Sequence, residues 1–202
     1  MQFLELLILA VLAAVVLYQL YAVLGRRVGR QPEDNPEVAR RLAPDPAAVA
    51  RLPADSPAIG GVAAIKARDA AFDVDKFLAG AKDAFQTIVR AYAAGDREAL
   101  KPMLAPDVAT AFEAGIARRE AEGRSETVEF LQPPRADLED AAVDVDTARV
   151  KVRFLAEFRS RSKGPEGEAV DDRRTAEVWT FQRALAGKDP NWTLARVEAA
   201  EA

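Results

Sequence analysis

The chain has neither cysteine nor histidine among its 202 residues. Without cysteine there are no disulfides, no thiolate nucleophile and no Cys-ligated zinc or iron–sulfur centre. The absence of histidine removes the imidazole base of the Ser-His-Asp and Cys-His arrangements, and with it the commonest transition-metal ligand. Charge of one sign is also lacking: 28 Lys and Arg against 32 Asp and Glu give a formal net charge of -4 and a pI near 5.1. Such a balance offers no global attraction to nucleic acid, which calls for a basic face or domain. No cofactor, no resident metal and no catalytic residue is expected on these grounds; carboxylate chemistry stays open.

What the chain does have is a long apolar run. Phe3 to Leu24 is interrupted only by Glu5 and Gln19. As a helix it would reach roughly 33 Å, enough for a hydrocarbon core of about 30 Å. Both polar residues sit near the ends, and Tyr18 and Tyr21 suit the interfacial belt. A cleaved signal peptide is the rival reading, but no Lys or Arg precedes the run. Residues 1–24 are therefore read as a transmembrane anchor. Arg26, Arg27 and Arg30 follow it at once, so positive charge predicts the C-terminal part on the cytoplasmic side. The same three arginines are candidates for anionic lipid headgroups.

Prolines at 32, 36, 44, 46, 53 and 57 then punctuate an Ala-rich and charged stretch. Long regular structure is disfavoured there, and residues 25–67 are assigned to a linker. Within it, Ser56-Pro57 followed by Ala58 to Ala67 is a possible helix with an apolar stripe at Ile59, Val62 and Ile65, read as packing on the folded part or on a partner.

Residues 68–202 are the expected globular domain. Asp73 is a helix cap, and Val74, Phe77, Leu78, Ala81, Phe85, Ile88, Val89 and Tyr92 recur at helical spacing up to Gly95. Asp96 and Pro106 open two further helices, the first carrying Leu100 and Leu104, the second Val108, Phe112 and Ile116. Five extended segments follow: Thr127 to Leu131, Leu138 to Val145, Arg149 to Arg159, Arg174 to Arg183 and Trp192 to Val197. Helices first and antiparallel strands afterwards predict an α+β fold with the helices on one sheet face.

Three separated blocks then resemble a known family: FDVDKFLAGAKDAFQTIVRAYAAGDREALKPML from Phe72, EVWTFQR from Glu177, and DPNWTLARVEA from Asp189. They resemble the Tim44-like domain family, in particular its bacterial membrane-anchored members. The resemblance implies a cone-shaped fold similar to nuclear transport factor 2, with an apolar pocket between helices and a bent sheet. It also implies an inner-membrane adaptor that binds proteins in translocation or envelope biogenesis, with contact to anionic lipid. The region that recruits a chaperone in the mitochondrial relative is missing, so that role does not carry over.

Two sets of residues remain as candidate sites. Phe77, Phe85, Trp179 and Phe181 are read first as core, and second as the lining of a pocket for an acyl chain or apolar peptide. Arg149, Lys151 and Arg153 head a basic ridge, continued by Arg159, Arg161 and Lys163, that is either a solvated face or a headgroup surface. The acidic pairs Asp73/Asp75, Asp144/Asp146 and Asp171/Asp172 are read as caps and turn residues. Two alternatives complete the reading: a small-molecule-binding protein or enzyme using pocket carboxylates, and an oligomerising scaffold.

Overall fold

The computed structural model describes residues 57–187 and 189–200. Four helices come first: α1 (Pro57–Arg68), α2 (Val74–Ala94), α3 (Arg97–Leu100) and α4 (Pro106–Ala121). Five strands follow: β1 (Ser125–Phe130), β2 (Arg135–Asp144), β3 (Thr147–Gly164), β4 (Gly167–Ala184) and β5 (Thr193–Ala199). The helices pack against an antiparallel sheet, so the α+β assignment holds.

Helix α2 is bounded as its sequence predicts. Asp73 accepts the Lys76 N–H at 2.8 Å, satisfying one of the amides that a helix start leaves open. At the other end Gly95 takes φ 74°, and the next amide, Asp96 N–H, turns back to Ala91 O at 2.8 Å. A left-handed residue there favours glycine, which has no Cβ to clash.

In the sheet, β3 is central. Its first half pairs with β2 over Thr147–Leu155, and its second half pairs with β1 over Phe158–Lys163, so β1 and β2 lie end to end along one side. On the other side β4 runs beside β3 for its whole length, and β5 adds to β4 only over Glu177–Gln182. Even-numbered residues of β3 from Ala148 to Ser160 are buried against the helices, while odd-numbered ones face outward. The core is centred on Phe85, Phe154, Val150, Val152 and Ile88, each 0 or 1 % exposed.

Two findings differ from the sequence reading. Helix α1 lies in the stretch assigned to the linker, and its Ala58 and Ile65 are completely buried where it packs on β2. Packed structure therefore begins ahead of residue 68. Second, β3 and β4 run well past the expected ends at Arg159 and Arg174, meeting at the turn between Gly164 and Gly167. Among the described residues no helix is long and apolar enough to cross a membrane. The proposed span at 3–24, its flanking Arg26, Arg27 and Arg30, and the linker up to residue 56 lie outside the described residues.

Candidate functional site

The four aromatics singled out from the sequence come together between α2 and the sheet. Phe85 lies 4.6 Å from Trp179 and 4.4 Å, stacked, from Phe154. Phe77 meets Phe181 edge-on at 5.9 Å and Trp192 at 4.8 Å. The Trp179 indole N–H donates to Glu177 at 2.7 Å, so its polar end is satisfied at the edge of the seam. These rings pack against one another as part of the hydrophobic core.

An opening lies elsewhere, between α3 and α4. Leu100, Leu104, Phe112 and Ile116 form the apolar floor of an open groove of about 600 Å³, whose rim carries Arg97, Lys101 and Glu113. Arg97 is the link across it. Its Nε donates to Glu113 at 2.8 Å, and its two terminal nitrogens donate to the two oxygens of Glu120, each at 2.8 Å. Hydrogen bonds from Arg97 hold the Glu120 carboxyl below the ordinary carboxylate range, and the two glutamates raise the guanidinium further above its own. The clamp links α3 to α4 at the rim of the groove. The sequence held one signal of it: Glu113 and Glu120, seven residues apart, share a helix face.

The basic ridge takes its place on the outer sheet face, but not as a cationic strip. Arg149 donates to Asp144 at 3.0 Å and Arg153 to Glu139 at 3.2 Å. Lys151 stands opposite Asp140 in the β2 register. Further along, Arg159 forms a two-pronged pair with Asp172 at 2.7 and 2.8 Å, which lowers the pKa of that carboxyl. Carboxylates from β2 and β4 thus interleave with the cations of β3. A single strand read alone does not reveal its neighbours' charges.

The acidic pairs serve caps and ion pairs. Asp73 caps α2, Asp144 and Asp146 hold Arg149 and Arg68, and Asp171 and Asp172 hold Arg173 and Arg159. Among the described residues no group of three carboxylates is arranged to hold a metal ion.

The sequence model of the Tim44-like domain matches residues 59–199. This chain belongs to the Tim44-like domain family. The match takes in all of α2 to β5 and nearly all of α1, which fits the packing of that helix on the sheet. No curated protein matches the chain. Among solved structures, the intermembrane space region of the chloroplast protein ARC6 is similar at 15% identity and a TM-score of 0.47, over 62% of this chain and 97% of that one. A de novo designed β-sheet protein is similar at 17% identity and a TM-score of 0.29, over 62% and 88%.

Proposed function

We propose that this Tim44-like chain is a membrane-anchored adaptor whose domain binds other proteins beside a bilayer. Residues 3–24 cross the bacterial inner membrane, the proline-rich stretch that follows is a tether, and the domain stands in the cytoplasm. The observation that carries this reading is the order of parts: a Tim44-like domain at residues 59–199 placed after a 22-residue apolar run with arginines only on its C-terminal flank. Headgroup contact is assigned to Arg26, Arg27 and Arg30 rather than to the sheet, because Arg149 and Arg153 already have carboxylate partners. Partner binding is assigned to the groove between α3 and α4, where an apolar floor and a charged rim suit an amphipathic segment. The nuclear-transport-factor-like cone and a ligand pocket at Phe77, Phe85, Trp179 and Phe181 are not required by this reading.

Membrane fractionation of the chain with and without residues 1–24 tests the anchor. The shortened chain is expected in the soluble fraction; equal retention in membranes would end the anchoring claim. A photo-crosslinker at Ala109, in the groove, is expected to trap an envelope or translocation component in intact membranes, and one at Thr127 on β1 is not. Equal crosslinking at both positions, or none at Ala109, would remove the groove from the reading.

A further inference from the structure

The distal half of β4 is an open sheet edge. Strand β5 covers β4 only from Glu177 onward, and the remaining stretch Gly167–Ala176 pairs with β3 on one side alone. Which backbone groups are open follows from one contact beyond the end of β5: Ala200 N–H donates to Ala176 O at 3.0 Å, on the side away from β3. A strand's carbonyls and amides alternate in direction. Glu168, Val170, Asp172 and Arg174 therefore also turn their N–H and C=O outward, with no strand among the described residues to receive them.

We infer that this edge pairs antiparallel with the same edge of a second copy, centred on Asp172. Beyond the Asp171–Arg173 and Arg174–Glu157 pairs that each chain makes within itself, charge complementarity selects both the partner and the register. A two-fold axis perpendicular to a sheet places opposite each other residues of the same face, so the two numbers in each pair share parity. With Asp172 at the axis, Asp171 of each copy faces Arg173 of the other, and Val170 faces Arg174. The Asp171–Arg173 pairs fall at non-hydrogen-bonded positions, where side chains approach closest. The two Asp172 residues meet at the wider, hydrogen-bonded position, and each already carries its own Arg159 as a two-pronged counterion. Sliding the axis to Asp171 or to Arg173 sets like charges opposite each other at a close position. The register on Asp172 avoids that contact; its ladder runs from Val170 to Arg174, because Glu168 falls opposite Ala176, whose carbonyl is taken by Ala200. Charged residues on an edge ordinarily repel other strands; here Asp171 and Arg173, either side of the axis, instead match each other across it.

The full-length chain, reconstituted in lipid vesicles, supplies the test, and the native absence of cysteine makes it clean. The single substitution Asp172→Cys is expected to give a disulfide-linked dimer under mild oxidation, because the two Cα atoms of such a pair stand about 5.5 Å apart. Thr127→Cys, on β1, is expected to give none. In detergent, sedimentation of Arg173→Asp is expected to show dimerisation weakened about tenfold or more, since both symmetric pairs turn repulsive. The swap Asp171→Arg with Arg173→Asp is expected to restore it, which a mere loss of fold would not allow. An Asp172→Cys chain that stays uncrosslinked, links to a different protein, or links no more than the Thr127→Cys chain would overturn the pairing. So would a swap that sediments like the single variant.

Discussion

Gly60 and Gly61 are neighbours in one helix, and the fold predicts opposite signs for the same substitution at each. A Cβ built at Gly60 meets nothing within 4 Å, whereas one at Gly61 overlaps the carbonyl of Ala141 on β2 and lies 3.0 Å from its Cα. Both glycines cost helix stability, by about 1 kcal/mol each relative to alanine. Gly60→Ala recovers that and should stabilise the protein by about 0.5–1 kcal/mol. For Gly61→Ala the same gain is opposed by a backbone collision that no side-chain rotation relieves. Helix α1 must withdraw, and a gap of about 0.5–1 Å forfeits roughly a quarter to a half of the dispersion contacts along a seam. The seam includes completely buried Ile65, whose burial contributes about 1.5–3 kcal/mol, together with Ala58 and Val62. Overpacking at such sites costs typically about 1–3 kcal/mol. Set against that gain, the net for Gly61→Ala is a loss of about 0.5–2 kcal/mol, so the two variants should differ by roughly 1–3 kcal/mol. Urea denaturation of fragment 45–202 reads this as midpoints displaced in opposite directions at unchanged slope. A Gly61→Ala midpoint at or above the parent's would show that α1 does not rest its backbone on β2.

Other expectations follow from single contacts. Val145 is β-branched, 83% exposed and at φ 53° in the turn between β2 and β3, so Val145→Asn should raise stability by about 1 kcal/mol, read as a higher melting temperature. Phe85→Ala removes the ring shared by Phe130, Phe154 and Trp179, and should cost about 3–5 kcal/mol in urea. The Arg183 guanidinium lowers the pKa of Asp69, a contact joining the end of α1 to β4. A depressed carboxylate stabilises the fold above its unfolded pKa near 4 and ceases to do so as pH falls through the lower folded value. Between about pH 5 and pH 2, therefore, the parent should lose more stability than Asp69→Asn; parallel pH profiles would refute the pairing.

Much of this fold is legible in the sequence wherever one face is buried and the other wet. Helix α2 shows every sign at once: an aspartate cap, apolar residues at helical spacing and a glycine stop. The inner half of β3 alternates just as plainly. Helix α1 is harder to place, because proline before it and two glycines within it resemble linker composition. Its glycine at 61 has a packing role that emerges only when β2 is set beside it. The groove is half visible. Leu100, Leu104, Phe112 and Ile116 read as apolar faces, but which of them meet one another depends on how α3 turns against α4, where Arg97 joins the two helices.

The ends of β3 and β4 escape a pattern search for a more instructive reason. From Arg159 to Lys163 and from Glu168 to Arg174 the side chains are mostly charged or polar on both faces, so the period of two that marks a half-buried strand is absent. The hairpin persists there because its ladder is complete from Thr147↔Ala184 to Gly164↔Gly167, and because β1 adds a third strand over Phe158–Lys163. Hydrogen bonding and a tight turn, rather than burial, therefore hold this part of the sheet, and register is weakly specified where burial does not select it. Ion pairs across the strands supply part of what burial would: Arg159 with Asp172, Arg174 with Glu157, Lys163 with Glu168. Each is exposed and contributes little singly, yet a slip by one residue would break all three together. The charges that conceal the strand from a pattern search are thus the same ones that fix its register, and their order along the free edge is what a second copy would read.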